Sequence, residues 1–265
     1  MKGAIIGDII GSAFEVYNLK RKDFLLFSNR SGFTDDTVMT VAVARALVRY
    51  AQTEDEEIFR RALVEEMVKY GERYPAAGYG EMFAKWLTSP HPAPYGSFGN
   101  GSAMRVSPVG FFASSLAEAE RLAEISASVT HDHPEGIRGA QAIAAAIYLA
   151  RRGKSKEEIR GYIERHYYDL SVSIDEARPH FTFIDTCPAT VPFAIRAFLE
   201  SRGYEDTVRT AVSLGGDSDT LAAMAGGIAE AYWGIPDEIM ERGLSYLDDM
   251  LTDEVEELCD YLFED

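Results

Sequence analysis

Cysteine is nearly absent from this 265-residue chain. Cys187 and Cys259 stand alone, with no Cys-x-x-Cys pair. That excludes a disulfide framework and a zinc ribbon, and both thiols read as reduced core residues. Basic residues are also scarce: 26 Lys and Arg stand against 43 Asp and Glu, a net charge of −17. Such a field repels phosphate backbones, so no extended nucleic-acid surface is expected. A small anionic ligand stays compatible, because a cation or a helix N-terminus reverses the potential locally. No apolar run approaches the ~18 residues of a membrane span. The opening Met1-Lys2-Gly3 reaches Asp8 without a secretory apolar core. The expectation is a cytoplasmic protein with no membrane partner.

What is present is ordinary globular material, 46% hydrophobic and 26% charged, with no linker and no repeat. One domain over residues 1–265 is the simplest organisation. The acidic runs Glu54–Glu57 and Asp248–Asp265 read as solvated helix faces. Capping boxes at Thr53-x-x-Glu56, Ser115-x-x-Glu118 and Ser155-x-x-Glu158 precede apolar residues at helical spacing. The alanine-rich stretch from Gly139 to Ala150 suits a buried helix. Phe24–Phe27 and Phe181–Phe183 look strand-like but lack alternating partners, so no sheet is predicted. The expected fold class is all-α, a compact bundle of about a dozen helices. Two loops interrupt it, Pro90–Gly101 and Thr130–Gly136.

Two predicted helix starts resemble each other. Thr34-Asp35-Asp36-Thr37 precedes Val38–Ala44, and Gly216-Asp217-Ser218-Asp219-Thr220 precedes Leu221–Ala225. One reading is N-capping, which favours Asp and Thr. A cap needs one such residue, however, and each start carries two aspartates that repel unless screened. The other reading is a cation site. Hard oxygen ligands without His or Cys suit Mg²⁺, Mn²⁺ or Ca²⁺, and a bridging carboxylate would set two ions ~3.5–4 Å apart. The twelve-residue calcium loop does not fit Asp217-Ser218-Asp219.

Near the N-terminus, Gly3, Gly7, Gly11 and Glu15 recur every four residues. The glycines make a smooth stripe for close helix packing. Asp8 and Glu15, about two turns apart, would project from one side of a helix. Asp8 reads as a structural hydrogen-bond acceptor. Glu15 closes the apolar segment Ile9–Phe14, surroundings that tune a carboxylate for acid–base work.

Taken in order, these segments resemble the ADP-ribosylglycohydrolase family. The matching strings are Gly3-Ala4-Ile5-Ile6-Gly7-Asp8 through Glu15, Phe33-Thr34-Asp35-Asp36-Thr37, and the uncommon Gly96-Ser97-Phe98-Gly99-Asn100-Gly101-Ser102-Ala103-Met104-Arg105. Thr130-His131 and Ser213-Leu214-Gly215-Gly216-Asp217-Ser218-Asp219-Thr220 follow. Together they span residues 3 to about 234. The resemblance implies an all-α domain with a binuclear Mg²⁺ or Mn²⁺ cleft. It implies Thr34, Asp35 and Asp36 as ligands of one ion, Asp217 and Thr220 as ligands of the other, and Asp219 as the bridge. Glu15 falls where the family places a carboxylate near the scissile bond. Gly96, Ser97 and Phe98 fall where its loop holds diphosphate and adenine, the rest of the loop (Gly99, Asn100, Gly101) lying alongside. His131 matches a substrate-cleft histidine. The stretch Tyr17–Gly32 is short and basic, and His133-Pro134 follows His131. Both departures bear on acceptor choice.

The implied activity is hydrolysis of the bond between C1 of the distal ribose and an acceptor. The acceptor would be a protein side chain or a small ADP-ribosyl compound. The reaction builds positive charge on the sugar ring, and Glu15 is the candidate for proton transfer. Phe98 stands open between adenine stacking and core packing, His131 between a substrate contact and a backbone bond, and Arg105 between a phosphate contact and an ion pair within an acidic cluster. Two other readings are a silent ADP-ribose-binding or structural member and a Mg²⁺-dependent prenyl diphosphate enzyme. The second needs Asp-Asp-x-x-Asp, which Asp35-Asp36-Thr37-Val38-Met39 breaks.

Overall fold

The computed structural model describes residues 1–263. Its helices are α1 (Lys2–Ser12), α2 (Asp35–Thr53), α3 (Glu56–Arg73), α4 (Glu81–Leu87), α5 (Gly101–Met104), α6 (Ser107–Phe112), α7 (Leu116–Ser128), α8 (Pro134–Arg151), α9 (Lys156–His166), α10 (Ile174–Ala177), α11 (Cys187–Glu200), α12 (Tyr204–Val212), α13 (Ser218–Trp233), α14 (Asp237–Leu244) and α15 (Asp249–Phe263). A 3-10 turn, Glu15–Tyr17, follows α1. Among the described residues there is no strand. Gly99 and Thr186 form an isolated bridge. The all-α expectation holds, with more and shorter helices than the apolar periodicity indicated.

The centre of the molecule is the crossing of α1 on α13. Both helices are apolar around most of their circumference, and such helices bury completely. Every residue from Gly3 to Gly11 is buried, as is every one from Ser218 to Ala229. The glycine stripe makes the contact possible. A Cβ on Gly7 would stand 2.2 Å from the Ala222 carbonyl oxygen, and one on Gly11 would stand 2.4 Å from that of Ser218. Gly226 returns the contact, its Cβ position lying 2.3 Å from the Gly3 carbonyl oxygen. Helices α2, α8, α11, α12 and α14 sheathe this pair.

Local signals fix the helix ends. The Ser155 box forms in full, with reciprocal side-chain bonds between Ser155 and Glu158. Ser115 caps α7, but Glu118 reaches back to Ser114 instead of closing the box. The Thr53 box does not form. α2 runs through Thr53, Glu54 takes a left-handed conformation, and Asp55 caps α3 through the Glu57 and Ile58 amides. An aspartate next to the helix start outcompetes a threonine two residues back. The acidic runs are not wholly solvated faces either. Glu56 pairs with Arg121, and Glu254 and Glu257 on α15 pair with Arg45 of α2. The last two acids of that run, Glu264 and Asp265, lie outside the described residues.

α1 stops at Ser12, so Glu15 is not on the same helix as Asp8. The two carboxylates instead serve different neighbours.

The α1–α13 contact yields a paired prediction. Gly7→Ala forces the two backbones apart and should lower unfolding free energy by about 3 kcal/mol or more. Gly161→Ala, on α9 with nothing near its Cβ position, should raise it by up to about 1 kcal/mol. Urea unfolding of both variants measures this. Equal effects would contradict the packing argument.

Candidate active site

The end of α1 and the starts of α2 and α13 meet at one cleft. Asp8 holds them in register. It is fully buried and accepts from the Thr34 amide at 2.9 Å, the Thr34 hydroxyl at 2.8 Å, the Thr37 amide at 3.1 Å and the Thr37 hydroxyl at 2.5 Å. Asp8 therefore occupies the first turn of α2 from the side, the structural role its sequence context indicated.

That arrangement separates capping from the second reading of the paired aspartates. Thr34 is the N-cap of α2 and accepts from the Asp36 amide. Asp35 and Asp36 are the first two helical residues, and neither caps. Asp217 is the N-cap of α13 by position, yet its side chain makes no capping bond. Its carboxylate instead accepts the Asn100 side-chain amide at 2.7 Å. The two clusters touch through the Thr220 hydroxyl, which donates to Asp36 at 3.0 Å. Glu15, Asp217 and Asp219 each place an oxygen within 4.8 Å of the others. Glu15 thus joins the oxygen cluster itself instead of merely standing nearby.

The cluster is electrostatically incomplete. Asp36 Oδ1 and Asp219 Oδ1 are buried with no hydrogen-bond partner. Burial, with repulsion from neighbouring carboxylates, pushes Asp35 up to about 7 and Asp36 and Asp219 well above the usual range. Burial likewise raises Asp217, and it raises Asp8 to about 6 against four opposing hydrogen bonds. Glu15 is raised by burial and then by the Asp217 charge. Orphaned buried carboxylate oxygens are what divalent cations with oxygen preference satisfy. By this chemistry the donor set fits such ions. The Thr34 hydroxyl spends its hydrogen on Asp8, which leaves a lone pair for a cation.

The cleft encloses about 680 Å³, the size of a nucleotide-scale ligand site. The loop from Gly96 to Gly101 forms one wall, and several of its amides are already engaged. The Gly96 amide donates to Asp132 at 2.6 Å, Gly99 to the Ser97 hydroxyl at 3.1 Å, and Asn100 to the Asp185 carbonyl at 2.7 Å. Among the described residues, the Ser97 and Phe98 amides take no such partner. Phe98 is 46% exposed, with its ring 5.2 Å from that of His133, so it is not core. His131 is buried against the same loop and bonds to the Thr130 hydroxyl. Among the described residues Arg105 has no carboxylate partner. It donates to the Ser126 carbonyl and the Thr130 hydroxyl, so the ion-pair reading of Arg105 is corrected.

Other lining residues carried no sequence signal: Glu81, Met82, Phe183, Asp185 and Thr186. The Glu15 segment is itself anchored. Asn18, at φ 47°, accepts from the Gly216 amide at 3.0 Å, and Lys20 donates to the Phe181 carbonyl at 2.5 Å and to the Leu214 carbonyl. The loop bearing Glu15 is thereby tied to the loop bearing Asp217.

A pH prediction follows from the raised aspartates. A carboxyl whose folded pKa lies above its ordinary value of 3.8 holds its proton longer when folded. Its contribution to stability is greatest at low pH and falls as pH rises from about 4 to about 7. In cation-free buffer the thermal midpoint should fall over that window. The fall should be shallower in Asp35→Asn, and saturating Mg²⁺ should reverse it in the wild type. A midpoint that rises across the window and ignores Asp35→Asn would contradict this.

Comparison with known proteins gives the family. The sequence profile described as ADP-ribosylglycohydrolase matches residues 1–265. ADP-ribosylhydrolase ARH3 of Homo sapiens is 28% identical, over 91% of this chain and 86% of its own length. ADP-ribosylarginine hydrolase Tri1 of Pseudomonas putida is 26% identical, over 91% of this chain and 72% of its own. A solved structure described as an ADP-ribosylglycohydrolase-related protein complex superposes with a TM-score of 0.73, 24% identity and coverage of 98% of this chain and 94% of that one, a likeness of fold. With a profile match along its whole length, this chain belongs to the ADP-ribosylglycohydrolase family and is a hydrolase.

Proposed function

We propose that this chain, acting as one domain over residues 1–265, removes ADP-ribose from an acceptor by hydrolysing the glycosidic bond at C1 of the distal ribose, with a pair of Mg²⁺ or Mn²⁺ ions. The observation that carries the reading is the meeting of Glu15, Asp217 and Asp219 within 4.8 Å beside the orphaned oxygens of Asp36 and Asp219. Thr34, Asp35 and Asp36 would hold one ion. Asp217 and Thr220 would hold the other, with Asp219 between them. When bound, the ions supply charge compensation for the carboxylates and a Lewis-acidic anchor for the ribose hydroxyls.

The chain's own residues do the rest. Glu15, held against Asp217 by the Asn18 and Lys20 contacts, transfers the proton at the reacting centre. Its raised pKa suits a group that must both take and give one. The surrounding carboxylates favour the positive charge that grows on the ring. Ser97 and Phe98 offer free amides to the diphosphate, and the exposed Phe98 ring offers a face to adenine. His131 donates to the same part of the substrate.

The acceptor proposed is a protein side chain. The names of the relatives, an ADP-ribosylhydrolase and an ADP-ribosylarginine hydrolase, support that class. Among the described residues no helix is long and apolar enough to cross a membrane. Two unpaired cysteines support a reducing compartment, so the proposed site of action is the cytoplasm.

The test is release of free ADP-ribose from arginine-, serine- and threonine-linked substrates, each with Mg²⁺, Mn²⁺ or EDTA. EDTA should abolish turnover, and Glu15→Gln should lower kcat by about 10²–10⁴-fold with KM little changed. Undiminished turnover in EDTA would remove the cations from the mechanism. Full activity in Glu15→Gln would remove Glu15 from proton transfer.

A further inference from the structure

The residues behind His131 determine where its ring proton sits. Arg105, 1% exposed, donates one nitrogen to the Ser126 carbonyl at 2.9 Å and to the Thr130 hydroxyl at 2.8 Å. A guanidinium has no acceptor, so Thr130 Oγ1 must accept from it. The hydroxyl then has one hydrogen to give and two neighbours that could take it. The Ala127 carbonyl lies 3.4 Å away, beyond the usual O–H···O range of roughly 2.5–3.0 Å. That carbonyl also already accepts the Thr130 amide at 3.1 Å and the His131 amide at 2.7 Å, which occupy its two lone pairs. His131 Nδ1, at 2.7 Å from Thr130 Oγ1, is the acceptor that remains.

If Nδ1 accepts, the single proton of a neutral imidazole is on Nε2. The ring is neutral, because burial and then the Arg105 charge hold its pKa well below the usual histidine value. Nε2 faces the loop of the cleft. A Cβ on Gly101 would stand 3.3 Å from it and one on Gly99 3.5 Å. Nε2 itself has no hydrogen-bond partner among the described residues, and His131 lines the cleft.

We propose that Arg105 and Thr130 form a tautomer lock. Arg105 turns the Thr130 hydroxyl toward His131 Nδ1, which fixes the ring proton on Nε2 and presents it as a donor to an anionic oxygen of the substrate beside residues 96–101. His131 is then a neutral binding residue of defined polarity, while Arg105 and Thr130 act on the ligand through it, as positioning residues. A neutral donor suits this place: it binds an anionic oxygen without adding a cation that would compete with metal binding at the carboxylates. The lock also accounts for a buried guanidinium with no carboxylate beside it, which would otherwise be a cost without return. The binding half of the proposal rests on the cleft being an ADP-ribose site. The tautomer half does not.

Long-range ¹H–¹⁵N NMR of the ¹⁵N-histidine-labelled full chain reads the tautomer directly. Five histidines are present, and His131→Gln assigns the signal. The wild type and Thr130→Ser should show the Nε2–H form without any ligand, and Thr130→Val should lose it in favour of Nδ1–H or a mixture. Calorimetry with ADP-ribose and Mg²⁺ should show Kd about tenfold weaker in Thr130→Val and restored to within about twofold in Thr130→Ser, the scale of one hydrogen bond to a charged acceptor. A wild-type Nδ1–H signal would overturn the lock, as would a Thr130→Val chain that keeps both its tautomer and its affinity. Failure of the wild type to bind ADP-ribose at all would overturn the binding role of Nε2 together with the reading of the cleft, while the ligand-free tautomer still decides the lock separately.

Discussion

Backbone-to-backbone contact between α1 and α13 is the constraint on which everything else in this molecule depends. Only glycine permits it: at Gly3, Gly7 and Gly11 an added Cβ would fall 2.2–2.6 Å from atoms of α13, where no side chain can yield. The contact brings the C-terminal end of α1 against the N-terminal end of α13, and Gly11 stands beside Ser218 and Asp219. From there Asp8 reaches sideways to the first turn of α2. Three chain segments far apart in sequence become one cleft because two helices lie closer together than ordinary side chains allow.

Within that cleft the chain gathers more negative charge than it can stabilise alone. Five buried or half-buried aspartates and Glu15 lie together, two of their oxygens have no donor, and no ion pair among the described residues reaches them. Asp8, in the same cluster, is satisfied by four bonds. Asp8 and Asp36, neighbours in space, differ in this: Asp8 is fully bonded and Asp36 keeps an oxygen without a donor. Other buried groups among the described residues also lack a partner, among them the Tyr70 and Tyr168 hydroxyls and the Trp86 ring nitrogen, but only at Asp36 and Asp219 is the orphan a carboxylate oxygen, whose charge costs most to bury.

Much of this was legible in the residues. The echo of Thr34–Thr37 in Gly216–Thr220 is a local pattern, and a helix start reads locally. The glycine spacing every four positions announced a close helix contact but not its partner. Other features depended on tertiary packing. Nothing in the sequence ends α1 at Ser12, so Glu15 appeared to continue the helix when it occupies a separate 3-10 turn. The Thr53 box was a sound local signal beaten by Asp55. The Gly96–Gly101 loop looked free for an anion, yet Asp132 and Asp185, unmarked in sequence, already engage two of its amides. The proton on His131 is decided by Arg105, 26 positions earlier by count but adjacent in space through Thr130.

The account stands on aspartates from two remote helix starts sharing a cation pair. Mn²⁺ titration of the metal-free protein, followed by electron paramagnetic resonance, tests that most directly. Wild type should bind two ions per chain; Asp36→Asn should abolish or weaken binding of one of them, and Asp219→Asn, placed between the two starts, should weaken both. Absence of saturable binding, or full binding retained after either substitution, would contradict it.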